Sequence, residues 1–254
     1  MRVRIGGLVE ISTVDWYGYV TFMAFFAGCN FRCPFCQNAE LIPPDSGEEV
    51  DLDYVKGRIK ESAPLIDAVG ASGGEPTLQP KPLLELFRWA RGEGLRTFLD
   101  TNASRPTVVQ SLIRDGLLDQ ISIDVKGPLS DGERLSVIIG LSKRAAIREA
   151  ENIRETIRLC LSENIPTEIR TTIVPTIIDD EETIRTLARD VRGVGGCDVY
   201  TLQQFFPVQT VLDKRYAEID PPKRDVLKRL GGVAKAEGFK RVRIKTREFG
   251  AEEM

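Results

Sequence analysis

Short apolar runs alternate along the chain with longer amphipathic stretches. The runs near residues 20–27, 66–72, 95–101, 120–126, 167–174, 197–204 and 240–245 read as strands. Between them, Leu83, Leu86, Phe87 and Ala90 keep an i, i+3, i+4, i+7 spacing, and Ile184, Leu187, Ala188 and Val191 repeat it. Each set predicts a helix with one buried stripe. A longer helix is predicted from Ser142 to Glu163, with Ile147, Ala150, Ile153, Ile157, Cys160 and Leu161 facing inward. The last begins at Pro221-Pro222 and carries Val226, Leu230 and Val233. Residues 2–14, interrupted by Gly6-Gly7, read as an N-terminal β-hairpin, and Lys240–Glu253 as solvated surface with a frayed tail.

This alternation implies an α/β fold of parallel strands with crossover helices, either a doubly wound sheet or a full or partial barrel. Both place ligands at the C-terminal ends of the strands. Alternate strand residues point to opposite faces, so parity reports on polarity there. Ser122, Asp124 and Lys126 share one face, opposite Ile121, Ile123 and Val125; Phe98, Asp100 and Asn102 share another, and Glu168, Arg170 and Thr172 a third. Charges on inner faces are costly unless paired or functional, so these groups are either a binding site or structural ion pairs.

Composition narrows the chemistry. At 254 residues, 42% hydrophobic and 29% charged, the chain can bury a core and reads as one folded domain. A net charge of -3 supplies no general basic field, and nucleic acid is not expected as a partner. The most apolar stretch, Val20–Gly28, is too short to span a bilayer, and no basic segment with an apolar core opens the chain, so a cytoplasmic protein is expected. Histidine is absent. Catalysis by Ser-His-Asp or Cys-His, and zinc held by imidazole, are thereby removed, which leaves cysteine, carboxylates, lysine, arginine or a cofactor.

The segment Gly28-Cys29-Asn30-Phe31-Arg32-Cys33-Pro34-Phe35-Cys36-Gln37-Asn38 follows the first apolar strand and gathers three of the five cysteines in a Cys-x3-Cys-x2-Cys spacing. Three thiolates from one loop can bind three irons of a cubane cluster and leave the fourth open to a ligand. Structural zinc would need a fourth ligand, here Cys160, Cys197 or a carboxylate, yet both of those cysteines fall in apolar patterns and read as core residues.

With its three cysteines and the aromatic Phe35 before the last of them, the sequence resembles the radical S-adenosylmethionine superfamily. The resemblance extends to Ser72-Gly73-Gly74-Glu75-Pro76, similar to the segment that holds the methionine amino group, and to Asp100-Thr101-Asn102, Asp124-Val125-Lys126 and Arg170, at strand ends where the family places groups around the ribose and methionine carboxylate. It implies a partial (β/α)6 barrel with an N-terminal β-hairpin: one domain over 1–254, with the hairpin in 1–18, the barrel core in 19–204 and a C-terminal loop, helix and strand in 205–254. It also implies one 4Fe–4S cluster on Cys29, Cys33 and Cys36, with S-adenosylmethionine cleaved to a 5′-deoxyadenosyl radical and no catalytic residue beyond cluster and cofactor.

Thr13-Val14-Asp15-Trp16, Ile123-Asp124-Val125-Lys126 and Arg170-Thr171-Thr172-Ile173-Val174-Pro175 are similar to activating enzymes of glycyl radical enzymes, especially those of anaerobic ribonucleotide reductase. That likeness implies a partner protein's glycine as substrate and an electron donor such as flavodoxin or ferredoxin. The chain departs from these activases at Tyr17, where they carry proline, at Gln37, where they carry histidine, and around Gln203, Gln204 and Phe205, where some carry another histidine. A radical enzyme acting on a small molecule, a peptide or an RNA base, and a non-catalytic metal-binding scaffold, are the other readings.

Overall fold

In the computed structural model, which describes residues 1–254, Arg2–Ser12 form one long strand, β1. The hairpin expected within 2–14 is therefore displaced: Gly6 falls at a register shift, where the strand bulges and continues, and the antiparallel partner of β1 is β2 (Thr21–Phe26). Trp16, in the connection between them, is buried against Met23, Ala68 and Phe98 and stacks 5.6 Å from the Phe98 ring, which anchors the hairpin as one large aromatic should.

The chain divides into two units. The first comprises residues 1–30, 38–101 and 105–122. It holds β1 and β2, then β3 (Glu48–Asp51), α1 (Leu52–Ser62), β4 (Ala68–Gly73), α2 (Pro80–Gly92), β5 (Arg96–Thr101), α3 (Pro106–Arg114) and the start of β6 (Gln120–Asp124). Its strand order is β3-β1-β2-β4-β5-β6, with β2, β4 and β5 parallel and β3 antiparallel to β1. Leu83, Leu86, Phe87 and Ala90 form the buried stripe of α2, as their spacing predicts. Burying a side chain of that size contributes about 1.5–3 kcal/mol.

The second unit comprises residues 31–37, 102–104 and 123–254. After the end of β6 come α4 (Gly132–Ile139), α5 (Lys143–Ser162), β7 (Thr167–Ile173), α6 (Glu181–Gly193), β8 (Val199–Gln204), α7 (Arg224–Ala236), β9 (Val242–Thr246) and β10 (Gly250–Glu253). Strands β7, β8 and β9 are parallel, and β10 turns back antiparallel to β9. The order ends at β10 here and at β3 in the first unit, so no strand pairing closes a barrel, and the fold is a mixed α/β one with mainly parallel strands.

Ser142 caps α5 by accepting from the Ala145 amide, close to the expected boundary. Its buried stripe is Ala146, Glu149, Ala150, Ile153, Thr156, Ile157 and Cys160. Ile147, expected inside, is 53% exposed because it lies one residue, about 100° of helix rotation, off Ala146. In α7 the inward residues are Leu227, Leu230, Gly231 and Ala234, with Val226 and Val233 half-buried at the margin. The tail is not frayed. Arg224 holds Glu252, and Arg243 holds Glu253 at 2.7 Å, so the acids of β10 are paired where a free end was expected.

Candidate functional site

In the first unit, backbone contacts fix the position of Cys29. Its amide donates to the Ile42 carbonyl at 3.0 Å, and the Gly28 amide donates to that of Leu41 at 2.7 Å. From the end of β4, the Gly74 amide reaches the Phe26 carbonyl at 2.7 Å and the Glu75 amide reaches Gly28 at 2.8 Å. A Cβ at residue 74 would lie 2.3 Å from the Gly28 oxygen, and one at residue 73, where φ is +118°, 2.4 Å from the Phe26 oxygen. The two glycines therefore exist first to let β4 close against the residue preceding the cysteine.

Ser72, Glu75, Asp100 and Thr101 come together in the same unit. The Ser72 hydroxyl donates to Asp100 at 2.8 Å. Glu75 Oε1 accepts from the Thr77 amide, the Thr77 hydroxyl and, at 2.7 Å, the Thr101 hydroxyl. Glu75 is 0% exposed and caps the short turn Pro76–Leu78. In this structure Glu75 supports the turn through these bonds. Ser72, Gly73 and Gly74, half-buried, are the accessible residues of the motif.

In the second unit the Cys36 amide closes a turn onto the Cys33 carbonyl at 3.0 Å. The Arg32 amide donates to Ile139, the last residue of α4, an approach permitted by the left-handed φ of 65° at Gly140. Phe35 is buried edge-on against Tyr216, which meets Phe205 in turn. Lys126 Nζ lies 2.8 Å from Asp124. Burial alone would lower the ammonium's pKa, but the negative charges of Asp124, Cys33 and Cys36 outweigh it and hold the pKa above its ordinary value. Three thiols on one loop are a donor set of the kind that holds an iron–sulfur cluster, although Cys29, Cys33 and Cys36 are not drawn into a metal-sized group here. Asn102, with its oxygen accepting from the Ser104 amide at 3.0 Å, opens a turn in which Ala103 adopts a positive φ of 59°.

Arg170, on β7, is paired with a carboxylate of its own strand. Its Nε and Nη2 both donate to Glu168 Oε2, at 2.9 and 2.7 Å, while Glu168 Oε1 accepts from Thr201 and faces Arg243. Glu168, Arg170 and Arg243 are all buried, so their charges are paired on this strand, as buried charges require. Cys160 and Cys197 are not ligand-like either: burial pushes each thiol up to about 12.

One segment beside the cysteines carried no periodic signal in the sequence. Residues 205–217 lie along the cysteine loop, with the Asp213 amide donating to Pro34 O at 2.8 Å, Gln37 to Phe206 O, and the Thr210 hydroxyl to Gln37 O at 2.9 Å.

The profile of the Radical SAM superfamily matches residues 23–188. A protein of Methanocaldococcus jannaschii described as a "putative glycyl-radical enzyme activating enzyme" is 33% identical over 242 residues, covering 92% of this chain and 93% of its own. Pyruvate formate-lyase 1-activating enzyme of Escherichia coli strain K12 is 26% identical over 250 residues, 93% of this chain and 97% of that one. Among solved structures, a radical SAM methyltransferase of Sphaerobacter thermophilus has a TM-score of 0.69 at 16% identity, covering 91% of this chain and 67% of its own. A domain of pyruvate-formate lyase-activating enzyme from Bacteroides vulgatus has a TM-score of 0.54 at 19% identity, covering 70% and 99%. The two solved structures bear on the fold alone. No helix is long and apolar enough to cross a membrane.

Proposed function

Because the chain belongs to the radical SAM superfamily, we propose that it is a glycyl radical enzyme activase carrying one 4Fe–4S cluster on Cys29, Cys33 and Cys36. The observation that carries this reading is likeness to activating enzymes over nearly the whole length of both chains. Cys29, Cys33 and Cys36 would hold the cluster, which with S-adenosylmethionine bound would supply the radical chemistry for taking a hydrogen atom from a backbone glycine of a partner protein.

The chain's own residues bind, orient and shield. Ser72 and Gly73 present polar atoms to the methionine end of the cofactor, on a turn held by Glu75 and Thr101. Asp100, Asn102 and Asp124 offer acceptors to the ribose hydroxyls, and Lys126 offsets negative charge beside Cys33 and Cys36. Phe35, backed by Tyr216, keeps water from the thiolates, and Arg170 acts through its buried pair with Glu168. No acid–base pair is required. In this reading residues 1–254 act as one catalytic domain, and a flavodoxin or ferredoxin delivers the electron.

Anaerobic reconstitution followed by assay for 5′-deoxyadenosine tests the chemistry. Cys29→Ala, Cys33→Ala and Cys36→Ala should each abolish it, while Cys160→Ala and Cys197→Ala leave it largely intact; wild-type turnover by the first three would sink the proposal. Incubation with a partner bearing a glycyl-radical segment should add a glycyl signal in electron paramagnetic resonance. Turnover without that signal on any partner from the same genome would shift the substrate to a small molecule, a peptide or an RNA base.

A further inference from the structure

Gln37, Gln203 and Gln204, at or beside positions where the sequence departs from the activase pattern, line one cavity of about 250 Å³ with Phe206, Lys245 and Arg247. It opens at the C-terminal ends of β8 and β9, the side of an α/β sheet that binds ligands, and Gln37 directly follows Cys36. No carboxylate lines it.

The walls are tied by two of the three amides. Gln37 donates to the Phe206 carbonyl. Gln204 donates to Pro222 O at 2.9 Å and accepts from the Arg247 amide at 3.0 Å. Gln203 makes no side-chain hydrogen bond within the protein, and Arg247 forms no ion pair; its guanidinium lies 4.0 Å from the Phe206 ring centre. A guanidinium held against an aromatic face keeps its in-plane N–H edge outward, the fork that receives both oxygens of a carboxylate. An adjacent primary amide, donor and acceptor at once, suits a peptide unit.

We propose that this cavity recognises a carboxylate on the substrate polypeptide, with Arg247 clamping its two oxygens, Lys245 adding charge and Gln203 bonding the backbone beside it. The inference rests on the activase reading and narrows its substrate class to an acidic glycine-containing segment. The carboxylate could come from an aspartate or glutamate side chain or from a chain terminus.

Fluorescence anisotropy of the anaerobically reconstituted full chain decides this, using short labelled glycine-centred peptides. One series pairs Asp or Glu with Asn or Gln at the flanks under an amidated C-terminus; the other keeps neutral flanks and compares free with amidated termini. In the series that carries the recognised group, the acid should bind about tenfold or more tighter than its neutral counterpart, an advantage that Arg247→Ala removes and Arg247→Lys keeps in part. Gln203→Glu should weaken acidic peptides and spare neutral ones. Equal binding of acid and amide in both series, or a preference that survives Arg247→Ala, overturns the pocket. Competition by free succinate as strong as by peptide overturns the peptide assignment. Formation of 5′-deoxyadenosine by the same wild-type preparation without peptide is read separately: its absence fails the proposed function, while anisotropy still judges the pocket.

Discussion

A methyl group at position 74 would stand 2.3 Å from a backbone oxygen, with no flexible side chain to yield. Gly74→Ala should therefore cost about 1–3 kcal/mol, the usual range for overpacking. That corresponds to a fall of roughly 2–4 °C in melting temperature per kcal/mol for a chain of this size. A melting curve matching wild type would refute the contact. The example marks what a sequence gives away at the scale of single residues. Three thiols in eight positions announce a metal loop whatever their surroundings, because few other arrangements need them. Two glycines before an acid announce only that something comes close. The close group proved to be the chain itself, at Phe26 and Gly28, and the acid proved to be turned inward to Thr77 and Thr101. For Arg170 the partner Glu168, two residues away on the same face, was legible in the sequence, but not the burial that binds the two together.

Among the elements, β7 depends on Glu168 as a hub for Arg170, Thr201 and Arg243, and so joins β7, β8 and β9. Glu168→Gln removes the buried charge that pairs with Arg170 and faces Arg243, which keeps Glu253, and should cost about 3–5 kcal/mol. A loss within about 1 kcal/mol in urea denaturation would show that the hub is not needed. Helices α2 and α6 were legible because each buries one stripe at regular spacing. The strand β3 and the charged helix α1 after it were not, since Glu48, Glu49, Asp51 and Asp53 mask the few apolar positions they bury. Short α3 and α4 hold too few turns for periodicity to declare itself. Strand β10 was misread because its order comes from Arg224, Arg241 and Arg243, which precede it in the chain but meet it only in the fold.

For the molecule as a whole, the absence of histidine shapes its response to pH. No unperturbed side chain changes charge between pH 5 and 8, and the Cys160 and Cys197 thiols stay protonated far above that window. Acid is another matter. Burial would raise the pKa of Asp119, but hydrogen bonds from Arg91 and Thr97 outweigh it and hold the group below the ordinary aspartate value of 3.8; Asp180, bonded to Thr183 and Arg134, is held down likewise. A depressed carboxylate contributes stability above its unfolded pKa and loses it as pH falls through the folded value. Urea midpoints should thus be level from about pH 5 to 8 and drop below about pH 4. Asp119→Asn should cost about 1–2 kcal/mol at neutral pH and progressively less as pH falls through the folded value of the wild-type group. A penalty that does not change with acid would count against the charged hydrogen bonds as its source. The carbonyls of Leu41 and Ile42, finally, seat the start of the cysteine loop through hydrogen bonds that involve no sulfur. The place of Cys29 is thus set by its backbone and not by its sulfur, so a change of that side chain, Cys29→Ala included, should take away the thiol while leaving the start of the loop on its path.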